Sequence, residues 1–346
     1  MNLKGAVIGC GFFAQNHLKA WGDVRGAELV AVCDRDSAKA SAAADLTGAT
    51  AYADAEAMFA ACDLDFVDIA TTMETHEALI ALATRHGVPA ICQKPFAPDI
   101  ATVKRILAMV EAAGLPIMVH ENFRFQTPMI ELKKAIAKIG RPHFAHISWR
   151  TGYDVVKGQP YLNDVERFII LDLGIHVLDI ARFLLGDATS VHCRVQHTHP
   201  SARGEASAIM VLEHGTQGDG SAALSEVVCS YTTRIAPDPF PQTLVEIDGA
   251  SGALRLLRDY RLEIYTADGI ETVDVSPSVP SWADPQWALI QESVLNTQQH
   301  WIDCLRHASE PSTCGRDNLS TFALVEAAYA SAAEGCAVPV APFLEA

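Results

Sequence analysis

The sequence predicts an α/β protein in two parts: a doubly wound parallel sheet at the N-terminus, then an α+β domain with a large, mostly antiparallel, open-faced sheet. Three observations lead there. Short, almost wholly apolar runs alternate with helical stretches over residues 1–121, which is how parallel strands buried on both faces read. Gly9-Cys-Gly-Phe-Phe-Ala14 follows directly on the first of those runs. Beyond about residue 122 consecutive strand-like segments take over, separated by turn pairs such as Asp248-Gly249, Asp259-Tyr260 and Asp268-Gly269.

Composition narrows the class. At 346 residues the chain can form two domains and a large core. Its 49% hydrophobic and 20% charged residues describe a folded globular protein. A net charge of −16 disfavours nucleic acid and anionic membrane surfaces. No apolar run approaches bilayer length and no basic segment precedes an apolar one at the N-terminus, so no membrane partner and a cytoplasmic location are expected. Nine cysteines form no C-x-x-C pair, and Cys10, Cys33 and Cys92 fall in or beside buried strands, which suits a reducing compartment. His197 and His199 have no third ligand at a recognisable spacing, so a solvated strand end is expected there in place of a metal.

The first strand, Leu3–Ile8, feeds the G-x-G-x-x-A spacing of Gly9, Gly11 and Ala14. Gly9 permits a tight strand-to-helix turn, Gly11 has no Cβ to block a pyrophosphate, and Ala14 lets the helix over 12–21 pack close. Phosphate charge would meet the free N–H groups of that helix, with Phe12 and Phe13 walling the cofactor. A second strand over 28–33 ends in Asp34, at the distance the dinucleotide fingerprint asks. Asp34 can accept both ribose hydroxyls and repels a 2′-phosphate, so NAD is favoured over NADP; Arg35 beside it tempers the preference. These are the marks of a Rossmann domain.

Helices follow over 38–45 and 54–62, the second capped by Asp54. A strand over 66–70 leads into Thr71-Thr-Met-Glu-Thr-His76 and a helix that runs to His86 and stops at Gly87. Strand 88–92, Gln93-Lys-Pro95, helix 99–113 and strand 115–119 complete the first domain. Ligands of such sheets lie at the carboxyl ends of the strands. Gly9 to Phe13, Asp34, Thr71, Thr72, Glu74, Gln93, Lys94 and Asn122 therefore converge on one crevice.

The second domain, 122–346, opens with a helix over 129–139 and continues in strands near 143–150, 189–198, 206–213, 224–233, 243–248, 252–257 and 261–265. A helix over 167–185 interrupts them and should shield the sheet. Helices over 285–307 and 317–335 close the chain, the last expected to pack back toward the first domain. An open sheet face is seldom left wet, so a homodimer or homotetramer through this sheet is expected.

Two places carry reactive side chains without a packing need. Lys94 ends a buried strand, where an ammonium can donate to a hydroxyl and steady a developing alkoxide. In Asp172-Leu-Gly-Ile-His176 the acid and the imidazole are four residues apart, so on a helix they share a face about 6 Å apart. Gly174 between them suits a turn that something approaches closely. Imidazole is the natural group to take a hydroxyl proton near neutral pH, and a carboxylate can orient it or hold a second hydroxyl. Asn122, Arg124 and Arg150 can hydrogen-bond substrate hydroxyls, although Arg124 can equally be a packing ion pair. Trp149 or Tyr153 can stack on a substrate or fill the core.

Gly9-Cys-Gly-Phe-Phe-Ala14, Gln93-Lys-Pro95 and Asp172-Leu-Gly-Ile-His176 together resemble the landmarks of the glucose–fructose oxidoreductase, inositol dehydrogenase and rhizopine catabolism family (Gfo/Idh/MocA), and they cover both domains. The resemblance implies NAD, hydride transfer from a sugar, and a catalytic group of Lys94, Asp172 and His176, with His76 near the nicotinamide, although His76 can equally be a helix-surface residue. Gln93 stands where the family usually has Glu, and a neutral amide cannot ion-pair with Lys94. Further phrases, among them residues 91–96, 120–124, 158–161, 166–170 and 290–293, resemble a bacterial branch of the family that acts on an aldose. That branch implies oxidation at the anomeric carbon to a lactone, with His176 as base. Spacing and charge do not choose the sugar, and Asp and Glu near the crevice can take Mg²⁺ as well as sugar hydroxyls. The alternatives are a polyol or inositol dehydrogenase acting at a ring hydroxyl, and an NAD-binding regulator that does not turn over. Such a regulator has no need of Lys94, Asp172 and His176 together.

Overall fold

The computed structural model describes residues 2–215 and 222–345, in two compact units. The first unit comprises residues 1–122 and 291–319, and the second 123–290 and 320–346.

In the first unit β1 (Leu3–Ile8), β2 (Ala27–Cys33), β3 (Thr50–Tyr52), β4 (Phe66–Ile69), β5 (Ala90–Gln93) and β6 (Ile117–His120) form one sheet in the order β3-β2-β1-β4-β5-β6. Every pairing is parallel. Strands β4, β5 and β6 are buried at all positions, as near-continuous apolar runs demand. The strand order reverses between β1 and β4, which makes the ends of those two strands the switch point. Helices α1 (Ala14–Trp21), α2 (Ser37–Thr47), α3 (Ala55–Ala61), α4 (His76–Arg85) and α5 (Ile100–Ala112) connect the strands. Three of them start on an aspartate that accepts from the first turn: Asp36 from Ala38 N at 3.0 Å, Asp54 from Ala57 N at 2.8 Å and Asp99 from Thr102 N at 2.7 Å.

The second unit holds α6 (Thr127–Ile139), β7 (Pro142–Arg150), the single turn α7 (Val155–Gly158), α8 (Ile175–Leu185), β8 (Ala188–Gln196), β9 (Ser207–His214), β10 (Leu224–Ser230), β11 (Leu244–Gly249), β12 (Gly252–Leu256), β13 (Arg261–Thr266) and β14 (Gly269–Asp274). After α9 (Ala288–His307) and α10 (Gly315–Glu334) the chain ends in β15 (Val338–Pro339) and α11 (Ala341–Glu345). Nine strands form one sheet, β14-β13-β12-β11-β7-β10-β9-β8-β15, antiparallel except for β7 beside β10. Its register places Phe144, Leu224 and Glu213 in one row, and Ser148, Val228 and Ile209 in another. Alternate residues of β9 are buried and exposed, so one face packs and the other is open.

Three differences from the sequence reading have physical causes. Residues 291–319, most of α9 and the start of α10, belong with the first unit. They are tied there by Thr313, whose carbonyl accepts from Val119 N at 2.8 Å at the edge of β6, and by Gln298, which reaches Asp68. The helix expected over 167–185 starts later and opens with a π-helical turn, Ile170–Gly174, before α8. Buried Glu205 accepts from Phe168 N at 3.1 Å and Ile170 N at 3.2 Å, fixing that start from outside the helix. Strand β14 escapes the sequence because five of its six residues are exposed, which leaves no apolar alternation to read.

Two buried titratable groups of the second unit, Asp179 and His214, have their hydrogen-bond partners. Arg124 Nε donates to Asp179 Oδ2 at 2.7 Å, and Thr321 donates to Asp179 Oδ1 at 2.9 Å. His214 has Nδ1 2.7 Å from the Gly186 carbonyl and Nε2 2.9 Å from Ser225 Oγ, a neutral ring that donates through one nitrogen and accepts through the other. Burial pulls the His214 imidazole below its ordinary range. An imidazole lowered on folding binds protons less readily than in the unfolded chain, so stability is complete above the unfolded value, about 6.5, and is lost as pH falls through it. The melting temperature should therefore drop between about pH 7.5 and about pH 5.5, and His214→Gln should make that drop smaller. Scanning calorimetry at the two pH values checks this, and an unchanged drop would remove His214 as its cause.

Candidate active site

At the end of β1 the chain turns on Gly9, whose φ is +98°. A Cβ there would lie 2.6 Å from the Ala70 carbonyl oxygen, so both conformation and space require glycine. Gly11 is different in kind: no atom lies within 4 Å of where its Cβ would be. The open side of the turn thus faces the position where a pyrophosphate is expected. Residues 11–13 form a turn and α1 begins at Ala14, two residues later than the sequence suggested. Phe12 is left 57% exposed, while Phe13 packs edge-on to His17 with ring centroids 5.7 Å apart. Asp34, at the end of β2, accepts from Cys10 N at 2.8 Å and from Asp36 N at 2.9 Å, so its carboxylate is anchored against the glycine turn. Arg35 is exposed beside it. An open cradle at Gly11 with an anchored acid at Asp34 fits a dinucleotide.

Beyond β4 the Thr75 hydroxyl lies 2.7 Å from that of Thr71 and donates to the Thr72 carbonyl at 2.9 Å, closing a short turn that contains Glu74. His76 is buried, its ring nitrogens 3.1 Å from the Phe96 carbonyl and 3.2 Å from that of Thr71. Burial holds this imidazole below its ordinary range. It ties the loop after β4 to the loop after β5, so it is not a helix-surface residue.

Lys94 is half-buried at the end of β5, where its backbone N–H donates to Gln93 Oε1 at 2.6 Å. Below that turn lies a polar chain whose members are scattered along the sequence. Asp68 Oδ2 accepts from His17 Nδ1 at 2.8 Å, Trp21 Nε1 at 2.7 Å and Gln298 Nε2 at 3.3 Å. Burial works against the charge of Asp68, but its histidine and indole partners outweigh it and hold the carboxyl below the ordinary range. His17 Nε2 in turn lies 3.0 Å from Gln93 Nε2. Asn122, a candidate for substrate hydroxyls, is buried and donates to Ser293 Oγ at 2.6 Å.

In the second unit Asp172 occupies the π turn and His176 the first turn of α8, so a widened turn lies between them. A Cβ on Gly174 would press to 3.2 Å from the Ile169 carbonyl, so the close approach that this glycine allows is that of its own backbone. Tyr231 donates to Asp172 Oδ2 at 2.7 Å. Burial and the charge of Asp172 push the Tyr231 hydroxyl well above its ordinary range, so it remains a donor at any working pH. The ring of His176, 5% exposed, lies flat on Phe123 with centroids 4.0 Å apart and planes 6° apart. Arg124 is buried on Asp179, its packing ion-pair alternative. Trp149 is buried and Tyr153 stacks on Phe240 at 4.4 Å, both in packing roles. Arg150 lines a cavity of about 60 Å³ with Ser148, Gln242 and Arg258. His197 faces the Arg203 carbonyl and His199 accepts from Ala202 N, so each serves its own loop. Tyr231 escaped the sequence because 59 residues separate it from Asp172 and nothing around its place just after β10 marks it.

Both parts of the chain match known protein families. Residues 3–121 match the family described as the oxidoreductase family, NAD-binding Rossmann fold, and residues 129–255 match the GFO/IDH/MocA C-terminal domain. The chain is 50% identical to the D-apiose dehydrogenase of Rhizobium rhizogenes, covering 99% of each chain. It is 52% identical to that of Paraburkholderia graminis, covering 96% of this chain and 88% of the relative. A crystal structure of an oxidoreductase from Agrobacterium radiobacter, in complex with NAD⁺, L-tartaric acid and magnesium, superposes with a TM-score of 0.94 at 50% identity over 99% of both chains. With both of its domains matched, the chain belongs to the Gfo/Idh/MocA oxidoreductases, enzymes built on an NAD-binding Rossmann domain.

Proposed function

We propose that this oxidoreductase oxidises D-apiose at its anomeric carbon, giving the lactone that opens to the aldonic acid. The observation that carries this reading is the likeness, over nearly the whole chain, to two D-apiose dehydrogenases. NAD, when bound, supplies the hydride acceptor, and Gly9, Gly11, Ala14 and Asp34 would hold it. The sugar loses one hydrogen from carbon and one from oxygen, so the protein has to receive a proton and stabilise the oxygen that gives it up.

His176 receives that proton from the anomeric hydroxyl. Its stacking on Phe123 fixes the ring plane, so no rotational search precedes transfer. Asp172 orients the sugar or the imidazole, and the hydrogen bond from Tyr231 holds one of its oxygens in place. Lys94, through its ammonium, steadies the oxygen as negative charge develops. The assignments of Lys94, Asp172 and His176 rest on the three motifs shared with the family. Phe12, Phe13, Thr71, Thr72 and Glu74 line the cofactor's side of this scheme, and His76 and Gln93 act from behind them through the loops they tie. Arg150 stays a candidate for a sugar hydroxyl, whereas Asn122 and Arg124 would have to act through Ser293 and Asp179.

A second copy of the chain covers the open sheet face in this reading. Ile209 and Val211 on β9 are 50% and 46% exposed, and Leu224 and Phe144 beside them 46% and 39%. All four fall on one face of the sheet, a patch that water contacts at a cost. The free state of all nine thiols fits a cytoplasmic enzyme. Among the described residues no helix is long and apolar enough to cross a membrane.

An absorbance screen for NADH over free pentoses, hexoses and inositols, apiose included, tests the substrate. Apiose should give the fastest rise; a rise with inositols alone would favour the ring-hydroxyl alternative. His176→Ala should lower turnover about 10²-fold or more with NAD affinity unchanged, and equal turnover would remove His176 from the scheme. Light scattering should give a multiple of the 37.2 kDa chain mass, and Ile209→Asp with Val211→Asp should reduce it to one. A monomeric wild type would contradict the second copy.

A further inference from the structure

The hydrogen bonds around Gln93 fix which atoms carry protons. A backbone N–H can only donate, so the Gln93 atom 2.6 Å from Lys94 N is the oxygen. The amide NH₂ therefore faces His17 Nε2 at 3.0 Å, and that nitrogen must accept. The one proton of a neutral ring is left on Nδ1, 2.8 Å from Asp68 Oδ2. Donor meets acceptor at every link from carboxylate to imidazole to amide to backbone N–H. A doubly protonated His17 would set N–H against NH₂.

The titratable groups packed against this chain bear on its charge. Asp68 faces it from β4, and His120 faces it from β6 with its ring centroid 4.2 Å from that of His17. Cys92 on β5 stays a neutral thiol because burial pushes it well above its ordinary range. Trp21 from α1 and Gln298 from α9 meet the same Asp68 oxygen and carry no charge. Lys94 follows Gln93 directly.

A glutamate at 93 would change two things. Its carboxylate would face His17 Nε2, which would then need a second proton. It would also place a negative charge next to the Lys94 backbone, where it competes with a developing oxyanion for the ammonium. We propose that Gln93 is a positioning residue for Lys94: its amide fixes the turn that bears Lys94 while keeping His17 neutral and adding no charge there. This rests on the reading that Lys94 meets the sugar oxygen.

The test compares Gln93→Glu and Gln93→Leu with wild type, each as the full chain. In the NAD-free protein the carboxylate of Gln93→Glu, buried against His17 Nε2, can be met only by an added proton, so folding of this variant takes up a proton that wild type does not. Stability so gained is present at low pH and is lost as pH rises. Relative to wild type, the melting temperature of Gln93→Glu should thus fall with rising pH. In turnover Gln93→Glu should show an ionisation that wild type lacks, and Gln93→Leu should lower kcat about tenfold or more with the KM for NAD little changed. A melting profile of Gln93→Glu parallel to wild type would overturn the proton assignment. A shifted profile with wild-type kcat in both variants would overturn the positioning role. Full turnover in Lys94→Ala would overturn the underlying reading of Lys94 and leave the melting profiles as they are, so the two failures are distinguishable.

Discussion

Asp68 sits in the middle of the first sheet with no access to solvent, and its Oδ2 takes hydrogen bonds from His17, Trp21 and Gln298. A buried carboxylate costs several kcal/mol in lost hydration. Hydrogen bonds to a charged group return roughly 1.5–3 kcal/mol each, so three of them can offset it. The three donors come from α1 and α9, which are far apart in sequence. Meeting that charge therefore fixes α1 against β4 and draws α9 into the first unit. It also orders His17, and through His17 the amide of Gln93 at the turn bearing Lys94.

The second unit solves a similar problem around its own helix start. Glu205 is buried and serves the backbone at Phe168 and Ile170, with Tyr329 donating to it at 2.7 Å. Arg167 lies over the Tyr329 ring at 4.1 Å and completes that cluster. The π turn carrying Asp172 begins where this cluster ends, so Asp172 is aimed by groups that never touch it. Tyr231 then supplies the direct contact. A widened turn is a costly conformation that persists where its surroundings impose it, and here Glu205 and Gly174 impose it.

Much of this was legible in the sequence because it rests on local rules. The parallel strands announce themselves as apolar runs, Gly9 and Gly11 as a spacing, and Asp54 and Asp99 as helix starts. Lys94, Asp172 and His176 stood out because each is reactive and lacks a packing reason. What stayed hidden depends on contacts over long stretches of chain: Gln298 with Asp68, Thr313 with Val119, Tyr231 with Asp172. Arg124 shows the converse limit, since an arginine near a strand end reads alike whether it awaits a sugar or is buried on Asp179. The π turn was read as ordinary helix because its cause, Glu205, lies outside it.

We propose that the carbon oxidised is the anomeric one, with the proton leaving to His176. The most direct measurement is the rate of cofactor reduction with D-apiose deuterated at that carbon alone. The account predicts a slower rate than with unlabelled sugar and the deuterium recovered in the reduced cofactor. Deuterium retained in the sugar product, with NADH formed nonetheless, would contradict it.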